Sequence, residues 1–263
     1  MIAAILLSAA AAAASPPTDR FPKAASSYLV TIDGQTVWAR EPDRPRPPAS
    51  LTKIMTALVL LEGDWKPDAP VTIGPKAVAE TGSRAGLRAG ETLRAGDLLT
   101  AMLVTSANDA CVALAEHAFG SEEAIVAAMN ARAGSLGLAA THFENACGHD
   151  APGQLSSARD LFTLAGAALT HPEFSRAVAL RSADVKTSSG RSLHLRSGNH
   201  LLGSSRGVAG VKTGYTPAAG KCLVVLAVRD DVSVVILLLD AADRWWTAAA
   251  LVEEAFDAAR VPR

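Results

Sequence analysis

Metal ligands, aromatic rings and net charge are all scarce in this chain. Its three cysteines, Cys111, Cys147 and Cys222, make no C-x-x-C or zinc-type spacing. Its six histidines are scattered, and no H-E-x-x-H occurs. Metallopeptidase chemistry has no residues to build on here, and the reading below calls for no metal and no organic cofactor. Net charge is −1, with acidic and basic residues interleaved and no long basic run. Neither nucleic acid nor an anionic membrane surface is expected as a partner. Aromatics make up 5% of the residues, so Ala and Leu carry most of the 49% that is hydrophobic. A chain of 263 residues with that composition can bury a full core, as one large domain or two intimate subdomains.

Long apolar runs are missing too. The opening stretch, Met1 to Ala14, is apolar but too short to span a bilayer. It ends in small residues before Ser15-Pro16-Pro17, which matches a secretory segment with an A-x-A cleavage site, although the usual positive n-region is lacking. The expectation is a signal peptide over 1–14, a single catalytic domain over 15–263, and a periplasmic or secreted location. The alternative is an Ala-rich helix that stays attached.

What is present has a clear order. Tyr28 to Ile32 and Gln35 to Arg40 flank Asp33-Gly34, a type I′ hairpin signal. A Pro-rich connector from Pro42 to Pro48 follows. Helical spacing then runs from Leu51 to Glu62, stopped by Gly63. Further helices are expected at Asp97 to Val104, Asp109 to Phe119, Glu122 to Leu136 and Ser157 to Leu169. Ser157 and Asp160 resemble a capping box at the last of these. Cys222 to Val228 and Val232 to Leu239 are continuous apolar runs that read as buried strands of a hairpin. Trp246 to Ala259 is a closing amphipathic helix. The predicted fold class is α+β: an antiparallel sheet built from both chain ends, flanked by helices, with an inserted, mostly helical lobe over about 76–170 and a cleft between the two.

Three short segments carry chemistry: Ser50-Leu51-Thr52-Lys53, Ser106-Ala107-Asn108 and Lys212-Thr213-Gly214, spaced 56 and then 106 residues apart. A serine hydroxyl is a poor nucleophile until a base takes its proton. Lys53, one helical turn on, can be that base only when neutral, and burial or a second cation such as Lys212 would favour the neutral form. Ser106 and Asn108 fall at a break between two predicted helices, where a hydroxyl can relay a proton and a carboxamide can hold a peptide dipole. Lys212 and Thr213 lie on a predicted edge strand and can bind a carboxylate. Gly214 lets a substrate strand approach that edge by β-augmentation. Taken singly, each has a plainer reading: Ser50 a helix N-cap, Lys53 a surface lysine, Ser106 and Asn108 an N-cap pair, Lys212 a solvated turn lysine.

Taken together, the three segments in this order match the S-x-x-K, S-D-N and K-T-G set. From about Ser26 to Phe256 the chain resembles a D-alanyl-D-alanine carboxypeptidase, a low-molecular-mass penicillin-binding protein. Pro48 to Thr56, Ser106 to Ala110, Asp150 to Gln154, Ser157 to Asp160 and Val211 to Thr216 carry the resemblance. It implies that Ser50 is acylated by the penultimate D-alanine carbonyl with Lys53 as base. Ser106 with Lys212 returns a proton to the leaving amine, and Asn108 holds the peptide amide. The N–H groups of Ser50 and Tyr215 form the oxyanion hole. The implied partners are peptidoglycan stem peptides ending in D-Ala-D-Ala, with β-lactam antibiotics as covalent inhibitors.

Arg244 is the expected partner of Thr213 for the substrate's terminal carboxylate. It follows the strand Val232 to Leu239, which is expected to lie beside the third-motif strand, and its position resembles that of a carboxylate-binding arginine in the family. The alternative is a surface arginine beside Asp240 and Asp243. Export allows a Cys111–Cys147 disulfide, since one follows the second motif and the other lies in the cleft-border loop; three buried small apolar residues is the competing reading. His149-Asp150 stands where the family usually has Leu-Asp. The C-terminal β-rich domain and amphipathic anchor of many relatives are not expected, so no stable membrane attachment is anticipated. Three rival activities remain: a D-alanyl endopeptidase of the same fold, a class A β-lactamase, and a catalytically silent cell-wall peptide binder. The β-lactamase would need an E-x-x-L-N segment between Ser106 and Lys212, and none is found.

Overall fold

The structure, a computed structural model, describes residues 18–260. The expected signal segment therefore lies outside the described residues. In chain order the elements are β1 (Ser27–Ile32), β2 (Gln35–Arg40), a 3-10 turn (Ala49–Thr52), α1 (Lys53–Glu62), β3 (Pro70–Thr72), α2 (Pro75–Ala79), β4 (Thr92–Arg94), α3 (Ala95–Val104), α4 (Asn108–Phe119), α5 (Glu122–Ser135), α6 (Ala158–Leu169), α7 (Pro172–Val178), β5 (Ser182–Lys186), β6 (Ser192–Arg196), β7 (Val208–Thr216), β8 (Gly220–Arg229), β9 (Val232–Ala241) and α8 (Arg244–Arg260).

The main sheet is antiparallel with strand order β2-β1-β9-β8-β7, so both chain ends build it. Asp33 (φ 49°) and Gly34 (φ 78°) take the positive φ values that a type I′ hairpin needs. Asp230 (φ 48°) and Asp231 (φ 66°) do the same between β8 and β9. The continuous apolar runs of β8 and β9 follow from two covered faces. Val234, Ile236 and Leu238 pack on α8 residues such as Leu251 and Phe256. Leu237, Leu239 and Val224 face the helical side with Ile54, Leu58 and Leu161. Leu237 and Leu238 are wholly buried, and truncating either to Ala should cost about 2–5 kcal/mol.

Some details differ from expectation. The chain enters α1 through a 3-10 turn, so Ser50 precedes the α-helix. Ser157 Oγ accepts from Asp160 N (3.1 Å), but the Asp160 carboxylate does not close a capping box; it accepts from Ala140 N (2.8 Å) and Thr141 Oγ1 (2.7 Å). The two-stranded sheets β3–β4 and β5–β6 have no counterpart among the expected elements. Their strands are three and five residues long and mostly polar, too short for periodicity to declare. The strand after Val232 does not lie beside the third-motif strand. β8 intervenes, pairing with β7 on one side and β9 on the other.

Candidate active site

A cleft of about 570 Å³ runs between β7 and the helical lobe, lined by Ser50, Ser106, Asn108, Thr213, Gly214, Tyr215 and Arg244. The three motifs and Arg244 thus meet at one place.

Ser50 sits in the 3-10 turn, where residues three apart eclipse one another. That geometry brings the Lys53 side chain back over Ser50, and Lys53 Nζ lies 3.1 Å from Ser50 Oγ. Ala49 is held at φ 50°, a left-handed conformation that costs a non-glycine residue energy. Two glycines brace it. A Cβ on Gly148 would stand 2.1 Å from Ala49 O, and one on Gly214 would stand 3.2 Å from Ser50 N. Gly148 has no room for a Cβ, and at Gly214 one would push its neighbours by a few tenths of an ångström.

Lys53 is wholly buried. Its Nζ also donates to Asn108 Oδ1 (2.7 Å) and to the Cys147 carbonyl. Burial, and then the charge of Lys212, push its pKa well below that of a free lysine, while Glu80 opposes the shift. A neutral amine at Lys53 is the form a general base requires.

Ser106 lies between α3 and α4 at φ 61°. Its Oγ accepts from Lys212 Nζ at 2.8 Å, and Lys212 also donates to Thr213 O (3.0 Å). Lys212 is buried, and its pKa is lowered to about 7, by desolvation first and by the Arg244 charge second. The Asn108 carboxamide is largely engaged within the protein: Oδ1 accepts from Lys53 and Nδ2 donates to Thr81 O (2.6 Å), leaving one amide hydrogen for a ligand. The plainer readings fail here. Neither lysine is solvated, and the residue at the N-cap of α4 is Ala107.

Arg244 is half-buried rather than a surface residue beside Asp240. Although β8 separates β9 from β7, the arginine reaches across, and Nη1 donates to Gly214 O (2.6 Å) and Cys222 O (3.3 Å). Its guanidinium lies over the Trp245 ring, 4.6 Å from the centroid. Nε is buried without a partner among the described residues, a cost that an anionic ligand can relieve.

Several supporting groups gave no motif signal. The buried Asp109 carboxylate accepts from the N–H groups of Ala85, Gly86 and Leu87 (2.9–3.1 Å), which holds the loop after α2 against the second motif. His149 Nε2 meets Glu80 Oε2 at 2.8 Å at the cleft border, joining the loop after α5 to the end of α2. The structure joins Cys111 and Cys147 in a disulfide, with Cα atoms 6.0 Å apart. Cys222 remains a free, buried thiol whose pKa burial raises to about 11, so it is no nucleophile.

A family model described as D-alanyl-D-alanine carboxypeptidase matches residues 11–243. The chain belongs to this family. The D-alanyl-D-alanine carboxypeptidase DacF of Bacillus subtilis is 32% identical over 83% of the chain and 58% of its own length. The carboxypeptidase DacC of Escherichia coli is 38% identical over 76% of the chain and 52% of its own length. The chain therefore spans about half the length of these curated family members. The Streptomyces K15 DD-transpeptidase superposes with a TM-score of 0.83 at 30% identity, covering 89% of this chain and 97% of that one. The α+β sheet-and-lobe architecture is thus that of a solved DD-peptidase-type fold.

Proposed function

We propose that this chain is a serine-type D-Ala-D-Ala carboxypeptidase that removes the terminal D-alanine from peptidoglycan stem peptides through an acyl-enzyme on Ser50. The observation that carries the reading is the convergence of two Ser–Lys pairs on one cleft, Lys53 Nζ at 3.1 Å from Ser50 Oγ and Lys212 Nζ at 2.8 Å from Ser106 Oγ. Neutral Lys53 takes the Ser50 proton as Oγ attacks the penultimate D-alanine carbonyl. The N–H groups of Ser50 and Tyr215 stabilise the oxyanion. Charged Lys212, through Ser106, supplies a proton to the leaving D-alanine amine. Thr213 and Arg244 hold the terminal carboxylate, and the Asn108 carboxamide orients Lys53 and the peptide amide. Water then releases the shortened peptide.

A periplasmic or secreted location fits the apolar, small-residue start of the chain and its disulfide. Among the described residues no helix is long and apolar enough to cross a membrane. A second reading, a D-alanyl endopeptidase acting on cross-links, has one specific support. The D-alanyl-D-alanine endopeptidase of E. coli is 33% identical over 84% of this chain and 73% of its own length. Incubation with an N-acyl-D-Ala-D-Ala peptide and with cross-linked muropeptide separates the two. Free D-alanine as the main product is expected, and cleaved dimer without D-alanine would favour the endopeptidase.

The lysine pair sets a pH dependence. Activity should rise as Lys53 loses its proton and fall as pH climbs through about 7, where Lys212 loses its own. Replacing Arg244 by Gln removes a like charge that depresses Lys212, so the alkaline limb should move to higher pH. Arg244→Lys should leave the limb in place. An ester substrate lacking the carboxylate keeps binding effects out of the measurement. An alkaline limb that stays put in Arg244→Gln would remove Lys212 as its origin.

A further inference from the structure

A neutral lysine amine has two N–H donors and one lone pair. To act as a base on Ser50, Lys53 must aim that lone pair at Ser50 Oγ, so both hydrogens must go elsewhere. The structure supplies two other acceptors, Asn108 Oδ1 and the Cys147 carbonyl. Asn108 opens α4. Cys111 is on the same helix, one turn later, and is bonded to Cys147. The two acceptors that direct the Lys53 hydrogens thus sit on segments tied to each other by one covalent bridge.

The bridged loop touches the nucleophile as well. Gly148, next to Cys147, packs against Ala49 O and Ser50 N so tightly that it has no room for a Cβ. Beyond the bridge, the loop is held to α1 by Thr56 Oγ1 donating to Ala146 O, to α5 by Ala146 N donating to Glu122 Oε1 (3.2 Å), to the end of α2 by His149 against Glu80, and internally by Gly148 N donating to Asn145 Oδ1 (2.7 Å). None of these bonds links the loop to α4. Both cysteine side chains are buried, which protects the bridge from bulk solvent.

We propose that the Cys111–Cys147 disulfide is a positioning element for catalysis: by joining the segments that carry two hydrogen-bond acceptors of Lys53, it points the lysine lone pair at Ser50. The proposal rests on the Ser50–Lys53 reading above. It predicts a loss in the acylation step far larger than any in substrate binding: Cys147 lines the cleft, but both cysteines are buried, and the carboxylate contacts rest on Thr213 and Arg244.

The test compares the oxidised wild-type chain with a Cys111→Ala/Cys147→Ala variant and with wild-type chain refolded in dithiothreitol. The reductant transfers two electrons and two protons to the S–S bond, leaving two thiols and closing on itself as a cyclic disulfide. Stopped-flow acylation by a fluorescent penicillin separates the first-order acylation constant from the noncovalent dissociation constant. Acylation should slow by about 10- to 100-fold in both altered forms, the scale of a misplacement near 1 Å. The dissociation constant should change by less than about threefold, under half of the tenfold step that 1.4 kcal/mol represents. Reoxidising the wild-type chain should restore the rate, and dithiothreitol should have no effect on the double variant. Equal acylation constants in the three forms would overturn the proposal. So would loss of the near-ultraviolet circular dichroism signal in both altered forms, since the bridge would then hold the fold and not the lysine. Absence of any acylation in the oxidised wild-type chain would instead sink the Ser50 reading itself.

Discussion

Lys53→Ala is expected to slow acylation of Ser50 by on the order of 10²–10⁴-fold or more, the usual cost of removing a base from an activated nucleophile. The side chain is wholly buried, and among the described residues the hydroxyl it meets is that of Ser50, with Oγ at 3.1 Å. Its other two partners are acceptors that cannot take over as bases, a carboxamide oxygen and a backbone carbonyl. Lys212 cannot substitute, because its ammonium is held on Ser106 Oγ and Thr213 O. The variant should still fold, since burying Lys53 forces it to give up its proton, a cost that Ala avoids and that offsets the donor lost to Asn108 Oδ1 and the Cys147 carbonyl. The check is the penicillin acylation rate of a variant whose circular dichroism matches the parent. A rate within a few-fold of the parent would remove Lys53 as the base.

The second large effect concerns Arg244. Charge-assisted bonds to a carboxylate contribute about 1.5–3 kcal/mol, so Arg244→Ala should lower kcat/KM for D-Ala-D-Ala peptides by roughly 10- to 150-fold. A neutral ester lacking the carboxylate should lose much less. Arg244 also pins Gly214 O and Cys222 O, the first of them in the residue before Tyr215. Comparing the two substrates separates these roles, because the backbone effect strikes both equally. Arg244→Lys should recover part of the peptide activity, as an ammonium keeps the charge and loses the planar fork. Equal losses on peptide and ester would reduce Arg244 to a structural part.

Much of the site was legible because its chemistry is carried by side-chain identity at fixed spacing. Ser50 and Lys53 are one turn apart, and Ser106 and Asn108 fall at a helix break where side chains face outward. The two-faced burial of β8 and β9 was legible in their unbroken apolar runs. The rest resisted for physical reasons. Lys53 is oriented by the Cys147 carbonyl, and a backbone group leaves no trace in residue identity. Asp109 acts by collecting N–H groups from a loop some two dozen residues away. Glu80 and His149 meet only because the fold brings the end of α2 and the loop after α5 to one border of the cleft. The sheet order misled at one point: a hairpin signal says that β8 and β9 pair, but not which of them borders β7, and Arg244 reaches Gly214 across the strand between.

The central claim, that Ser50 is an acylable nucleophile activated in this cleft, is tested most directly by intact-mass spectrometry after incubation with benzylpenicillin. The β-lactam carbonyl imitates the D-alanyl-D-alanine amide, and its leaving group stays tethered, so the acyl-enzyme should persist long enough to be weighed. The account predicts one penicillin added per chain, mapped by peptide analysis to Ser50 and lost completely in Ser50→Ala. Rapid hydrolysis of the drug through a short-lived adduct would favour the β-lactamase reading, whereas an unmodified chain with the drug left intact, or an adduct that survives Ser50→Ala, would contradict the claim.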